Sequence, residues 1–179
     1  MTWGKLIRIV IKAAILFALC NLVYALVNPL TALSSLSLYN ALVPGRARLP
    51  YGENPAASYS LTMTNLPAMF ASHEISRPKA ADEYRVVVIG DSGTWGWLLE
   101  HDETFAAQIE ALGYTSADGR RIEVYNLGYP GMALEKDGLI LREAMRYEPD
   151  LIIWLVTLQS FPRDRQSDAA LVQQNAADS

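Results

Sequence analysis

The run YRVVVI at residues 84–89 restricts the fold of this chain more than any other segment. Continuous β-branched runs of this length are typical of strands buried on both faces of a parallel sheet, whereas half-exposed strands alternate apolar and polar residues. The run stops at Gly90-Asp91-Ser92-Gly93, so a serine follows directly after the predicted strand. The segment therefore predicts a parallel α/β sheet with a serine hydroxyl at its carboxyl edge.

A helical pattern follows the first strand. Phe105, Ile109 and Leu112 recur at helical spacing. We expect Asp102 to cap this helix at its start and Gly113 to end it.

Two more strands and a second helix are predicted further along the chain. The strands are residues 122–127 (IEVYNL) and 151–158 (LIIWLVTL), and the helix between them is residues 132–147, whose charges are expected to face solvent. Alternating strands and helices predict right-handed crossovers and a doubly wound parallel sheet of flavodoxin-like type. Such a sheet has five strands and three are recognised, so the fold is expected to be a partial flavodoxin-like sheet. Residues 161–179 show no apolar period and are expected to fray.

The N-terminal segment predicts a transmembrane helix. Residues 13–30 contain no charged residue, and Lys5, Arg8 and Lys12 precede them. A segment of this length can cross a bilayer, and the basic residues favour an N-terminus in the cytoplasm and an extracytoplasmic remainder. We therefore expect a single-pass signal anchor in the cell membrane.

A cleaved signal peptide and a lipoprotein signal both fit the N-terminal segment less well. A cleaved signal peptide would have a small-x-small site, which is missing after Ala25. A lipoprotein signal would have a small residue before its cysteine, but Leu19 precedes Cys20. Cys20 is also the single cysteine of the chain, which excludes an intramolecular disulfide.

Three regions are predicted along the chain: a transmembrane anchor at residues 1–30, an extended connector arm at residues 31–83 and an α/β domain at residues 84–179. The connector is rich in proline, and we expect a short helix at residues 66–72. Apolar residues are interspersed in it, which predicts an arm docked against the domain. These residues are Leu49, Tyr51, Tyr59, Leu61, Leu66, Met69 and Phe70.

Composition excludes one class of partner. The formal net charge is −4, with 15 Lys and Arg against 19 Asp and Glu. Nucleic-acid binding requires clustered basic residues, and this chain has no such cluster. We therefore expect no nucleic-acid partner.

All three predicted strands end in polar or glycine residues that are candidates for a site. Ligands of open α/β sheets bind at the carboxyl ends of the strands. Ser92 would offer a hydroxyl and a backbone N–H, Gly131 a second backbone N–H, and Gln159 a side-chain amide. Three such donors can form an oxyanion hole, each contributing about 3 to 4 kcal/mol when correctly aimed. Asp91 and Asn126 are expected to support the site by fixing turns.

These residues resemble the SGNH, or GDSL, hydrolases, a family of esterases, lipases and carbohydrate deacetylases. The resemblance covers residues 84–160. The first family block appears as Gly90-Asp91-Ser92 and the second, Asn-x-Gly-x-x-Gly, as residues 126–131. The resemblance implies that Ser92 is the nucleophile and that Gly131 is an oxyanion donor.

The resemblance also implies a reaction and a substrate class. The reaction would be hydrolysis or transfer of an acyl ester through an acyl-Ser92 intermediate, with no metal and no organic cofactor. A membrane-tethered location makes an ester-bearing small molecule, a lipid or an envelope carbohydrate the expected substrate, by analogy.

The third family block, Gly-x-Asn-Asp, is altered in this chain. Thr157, Leu158, Gln159 and Ser160 stand in its place. Gln159 keeps the carboxamide but is one methylene longer, so its donor would be displaced by about 1 Å, which can cost roughly 100-fold in rate.

The fourth block, Asp-x-x-His, is absent, although a serine nucleophile requires a base. The two histidines of the chain are His73 and His101. His101 is expected to be a solvated residue and not a base paired with its neighbour Asp102, and the same is expected of His73. We therefore expect the base to lie in a natural C-terminal continuation, and the isolated chain to be nearly inactive.

Three other functions are considered. Gly90, Gly93 and Gly96 resemble a dinucleotide-binding turn, but Asn126-Leu127 stands where the acidic ribose-binding residue is expected. The GDSG sequence also occurs in trypsin-like proteases, whose all-β fold conflicts with the helical pattern after Ser92. A non-catalytic, membrane-tethered binding module remains an alternative because the general base is missing.

Overall fold

The computed structural model describes residues 3–27, 45–50 and 62–175. The predicted α/β class is confirmed: a three-stranded parallel sheet has the strand order β2-β1-β3. The strands are β1 (Glu83–Gly90), β2 (Arg121–Asn126) and β3 (Leu151–Leu155). The helices are α1 (Trp3–Val27), α2 (Leu66–Ala71), α3 (Ser92–Trp95), α4 (Phe105–Ala111), α5 (Leu134–Ala144), α6 (Arg163–Gln166) and α7 (Ala170–Asn175). Short 3₁₀ helices lie at Glu74–Ser76, His101–Glu103, Met145–Tyr147 and Leu158–Ser160.

Both faces of the sheet are covered. Alternate residues of β1 point to opposite faces, as strand geometry requires. Val87 and Ile89 pack in a cluster with Ile140 of α5, whereas Val86 and Val88 pack with Ala106 of α4. The two crossover helices therefore lie on opposite faces of the sheet.

Helix α1 is long and apolar enough to cross a membrane, by length and composition. It has 25 residues, and an 18-residue stretch within it has a mean hydropathy of 2.3. At 1.5 Å per residue it extends about 37 Å, more than the roughly 30 Å of a bilayer's hydrocarbon core. Its side chains are exposed along the whole helix, which fits a lipid environment.

The described parts of the connector pack against the sheet. Leu49, Phe70 and Ile75 are fully buried in the same cluster as α5. The guanidinium group of Arg85, on β1, donates to the carbonyl oxygens of Ile75 and Arg77, so the chain before β1 is bonded to β1 itself. The predicted packing of Tyr51, Tyr59 and Leu61 falls outside the described residues.

The first predicted helix boundary is wrong. Thr104 caps α4, because its hydroxyl accepts the Ala107 N–H. The predicted cap Asp102 instead lies in a 3₁₀ helix that precedes α4.

The predicted third strand is too long. β3 ends at Leu155, the residue that pairs with Gly90, the last residue of β1. Beyond Leu155 the neighbouring strand has turned away, so the ladder stops. β3 is an edge strand in the described part of the chain, and Trp154 and Leu155 are 42% and 36% exposed although they are apolar.

The predicted fraying after residue 161 is also wrong for its described part. Helix α7 brings Leu171 into the main core, where it is fully buried. The Asn175 side chain donates to the carbonyl oxygen of Thr64, which ties α7 to the segment before α2.

Candidate active site

The carboxyl ends of the three strands lie side by side. The β1–β2 ladder continues past β2, since the Leu127 N–H donates to Val88 O (2.8 Å) and the Tyr129 N–H donates to Gly90 O (2.9 Å). Ser92 therefore follows the central strand. Gly131 follows the strand on one side of it, and Gln159 follows the strand on the other.

The backbone at Ser92 is held in a defined turn. The Asp91 carboxylate caps α3 and accepts the Gly93 N–H at 2.8 Å. The Ser92 carbonyl oxygen accepts two N–H groups, from Gly96 at 3.1 Å and from Trp97 at 2.9 Å. Gly96 has a φ of +93°, the left-handed conformation that ends α3 after a single turn. The Ser92 side chain is half-buried and has no hydrogen-bond partner among the described residues.

Hydrogen bonds and a close main-chain contact hold the loop after β2 against α3. The Asn126 side chain donates to the carbonyl oxygens of Thr94 (3.1 Å) and Trp95 (3.3 Å), and its own oxygen accepts the Gly128 N–H (3.0 Å). The main chains also meet directly, because a Cβ at Gly128 would lie 2.3 Å from the Trp95 nitrogen. Asn126 therefore ties the turn that contains Ser92 to the loop that carries Gly131.

The proposed oxyanion donors differ in their surroundings. The backbone N–H groups of Ser92 and Gly131 have no acceptor within the described part of the chain. Gly131 is exposed and has a φ of +119°, which favours glycine. Gln159 is exposed in the 3₁₀ helix after β3, and its neighbours Thr157 and Ser160 contact each other through their hydroxyls at 3.3 Å. Gly131 and Gln159 thus lie on opposite sides of Ser92.

The structure corrects the expected position of His73. The side chain is fully buried, not solvated, and its Nδ1 accepts the Ile75 N–H at 3.1 Å. Its Nε2 lies 3.0 Å from the Asn126 carbonyl oxygen, to which it donates in this tautomer. Burial lowers the pKa of His73 to about 3, so the imidazole is neutral. The ring nitrogens of His73 contact the backbone of Asn126 and Ile75, and neither contacts Ser92.

His101 is exposed, as expected, in the 3₁₀ helix before α4. Neither histidine is bonded to Ser92. Within the described ranges, no group of three or more His, Cys, Asp or Glu side chains is arranged to hold a metal ion.

Sequence reasoning missed a buried ion pair beside the site. Lys136 and Asp137, on α5, are both buried, with 2.7 Å between Nζ and Oδ1. The expectation that the charges of this helix face solvent is therefore wrong for these two residues. The sequence did contain a signal, because Lys136 precedes Leu139 and Ile140 by three and four residues and so shares their face of the helix.

A cavity of about 320 Å³ adjoins Gly131. Its polar side chains are Arg165 and Asp168. The apolar part of the lining is Met132, Ala133 and Ala169. Space for part of a ligand therefore exists beside the loop that follows β2.

No protein-family model, curated protein or solved structure matches this chain. The geometry of the described residues is therefore the basis for assigning a function.

Proposed function

We propose that this chain is a membrane-anchored, extracytoplasmic SGNH-like hydrolase that acts on ester bonds through Ser92. The observation that carries the proposal is the position of Ser92. It begins α3 directly after the central strand, with a half-buried hydroxyl and an N–H that has no acceptor in the described residues. The strand order β2-β1-β3 is also the order in which the first strands of a flavodoxin-like sheet are arranged.

The proposed chemistry is acyl transfer to serine. The Ser92 Oγ attacks the ester carbonyl carbon, and the carbonyl oxygen becomes an oxyanion that the N–H groups of Ser92 and Gly131 stabilise. Collapse of this intermediate releases the alcohol and leaves acyl-Ser92, which water then hydrolyses. Gln159 is proposed as a third donor, from the side of β3. An acyl or alcohol group of an envelope carbohydrate ester, a lipid or another small ester would occupy the cavity beside Gly131.

The proton of Ser92 needs an acceptor, and neither histidine is placed to supply one. The His73 ring is hydrogen-bonded to the Asn126 carbonyl oxygen, and His101 is exposed in a separate 3₁₀ helix. The proposal therefore predicts slow reaction of Ser92 unless a base is supplied from outside the described residues.

The membrane location is part of the same proposal. Helix α1 has the length and composition of a spanning helix, and Lys5, Arg8 and Lys12 lie near its N-terminal end. This bias favours a cytoplasmic N-terminus, and the proposal therefore has the α/β unit outside the cytoplasm.

The test is covalent labelling of the full chain in detergent with a fluorophosphonate, with and without added imidazole as an external base. We expect slow labelling that imidazole accelerates and that Ser92→Ala abolishes. Ser116→Ala is the matched control, because Ser116 lies in the turn before β2, at the opposite end of the sheet. Labelling that persists in Ser92→Ala, or no labelling of Ser92 in either condition, would contradict the proposal.

A non-catalytic binding module is the second candidate, and the observation that favours it is that no histidine is bonded to Ser92 among the described residues. Such a module would not be labelled in either condition. A dinucleotide-binding domain is less compatible with the geometry, because α3 has only four residues and offers no long helix at the glycine-rich turn. NAD-dependent thermal stabilisation of the full chain would reveal that activity.

A further inference from the structure

The buried Lys136–Asp137 pair contacts all three strand ends. The Lys136 ammonium donates to Gly90 O at 3.0 Å, at the end of β1, and to Tyr129 O at 2.7 Å, in the loop after β2. The Asp137 carboxylate accepts the indole N–H of Trp154, on β3, at 3.0 Å.

The two carbonyl groups that bind Lys136 have equivalent positions in the sequence relative to the two proposed backbone donors. Gly90 lies two residues before Ser92, and Tyr129 lies two residues before Gly131. The Tyr129 N–H also donates to Gly90 O. One ammonium group therefore joins the two loops directly upstream of both proposed backbone donors.

The contacts of Lys136 Nζ are those of a hydrogen-bond donor. Burial lowers the pKa of Lys136, and the nearby carboxylates of Asp137 and Asp91 oppose that shift. Nζ donates to two backbone carbonyl oxygens and lies 2.7 Å from Asp137 Oδ1 as an ion pair. An amine that donates to two carbonyl oxygens is suited to hold these backbone atoms in place and is not suited to accept the proton of Ser92.

Stability alone does not explain this pair well. Removing two charges from water costs several kcal/mol each, and apolar residues of similar volume often give equal or greater stability. We infer that Lys136 and Asp137 are positioning residues that set the spacing between the Ser92 turn and the Gly131 loop. This inference rests on the proposed function of Ser92.

The test compares the double variant Lys136→Met/Asp137→Asn with the unchanged full chain in detergent. Methionine replaces the lysine by an apolar side chain of similar length, and the asparagine oxygen can still accept from Trp154, so no charge is left buried alone. We expect imidazole-assisted labelling of Ser92 to be about 10- to 100-fold slower, because displacements near 1 Å have effects of that size. Arg146→Gln is the control, since Arg146 pairs with Glu143 near the other end of α5 and touches no strand end.

Hydrogen exchange gives a second measurement that does not depend on catalysis. The Tyr129 amide, bonded to Gly90 O, should exchange at least tenfold faster in the double variant, while the Leu127 amide, bonded to Val88 O, should be unchanged. If the double variant does not fold, the same two measurements on Lys136→Gln/Asp137→Asn, which keeps both side chains polar and uncharged, decide the matter, with smaller changes in the same direction.

Unchanged exchange at Tyr129 would overturn the inference, and so would an unchanged labelling rate in a chain that is labelled at Ser92. If the unchanged chain is never labelled at Ser92, the proposed function fails, and exchange at Tyr129 alone decides whether Lys136 spaces the two loops.

Discussion

The buried imidazole of His73 donates its Nε2–H to the backbone carbonyl oxygen of Asn126, 3.0 Å away. Asn126 in turn holds the carbonyl oxygens of Thr94 and Trp95 at the end of α3. A residue of the connector is thereby linked through one asparagine to the helix that begins with Ser92. Because His73 is ionisable, we expect the stability of the fold to depend on pH.

Stability should fall as the pH drops below 6.5. Burial lowers the pKa of His73 to about 3 from 6.5, so between these values the unfolded chain binds a proton that the folded chain does not. The free energy of unfolding should then decrease by up to about 1.4 kcal/mol per pH unit, or about 1.7 kcal/mol between pH 6.5 and 5. Urea denaturation of the full chain in detergent, followed by tryptophan fluorescence, measures this slope.

The other histidine provides the control for this slope. His101→Gln should keep it, because His101 is exposed, whereas His73→Gln should remove it. Carboxylates with lowered pKa, such as Glu83, add their own loss of stability at lower pH, which is why the comparison stops at pH 5. An equal slope in His73→Gln would show that another group is responsible.

Gly128→Ala and Gly138→Ala should have opposite effects on stability. At Gly128 a Cβ would lie 2.3 Å from the Trp95 nitrogen and 2.7 Å from the Trp95 Cα. The main chain of one of the two segments must therefore move to accommodate alanine. We expect a loss of about 2 to 3 kcal/mol in the free energy of unfolding, as for other overpacked positions. Gly138 lies inside α5 with no atom within 4 Å of its Cβ position, and alanine there should add about 1 kcal/mol through helix propensity.

Both changes are measured by the same urea denaturation. A stable Gly128→Ala protein would mean that the loop after β2 can separate from α3 at little cost. The Asn126 contacts would then not fix that loop.

Much of the sheet could be predicted from local sequence because strands of a parallel sheet are apolar along their whole length. Residues 84–89 and 122–127 each match a strand to within one residue at either end. The third strand is shorter than its composition predicts, since its end depends on where β1 stops pairing. Strand pairing depends on two segments, so the sequence of one segment alone does not determine where its strand ends.

The buried polar residues could not be placed in the same way. His73, Lys136 and Asp137 have side chains that are usually exposed, and their burial here depends on acceptors from distant segments. Helical spacing did place Lys136 on the same face as Leu139 and Ile140. Patterns of apolar residues therefore predicted the ends of β1 and β2, which precede Ser92 and Gly131, but not the end of β3 or the polar contacts that join the three strands.

Gly131→Ala should reduce labelling of Ser92 without large unfolding. Space for a Cβ exists at Gly131, but its φ of +119° is one that alanine avoids. We expect the backbone to relax, which would turn the N–H from the oxyanion position and slow imidazole-assisted labelling by about 100-fold or more. The stability cost should be about 1 to 3 kcal/mol.

Gly119→Ala is the matched control for Gly131→Ala. Gly119 also has a positive φ, +84°, and an open Cβ position, but it lies in the turn before β2 at the far end of the sheet. It should lose comparable stability and keep the labelling rate. If both variants are labelled equally fast, the Gly131 N–H has no part in the reaction.

Helix α1 should anchor the chain in a membrane, and one charge at its centre should prevent this. Arginine at the middle of a spanning helix costs about 2.5 to 3.5 kcal/mol in insertion free energy. We expect the unchanged chain to resist extraction from membranes at alkaline pH, Ile15→Arg to be extracted, and Trp3→Arg, at the end of α1, to remain. Recovery of the unchanged chain in the soluble fraction, or an N-terminus beginning after Val27, would contradict an uncleaved anchor. Protease added from outside the cytoplasm should cleave residues after α1 and leave the N-terminus intact, because Lys5 and Arg8 favour its cytoplasmic location.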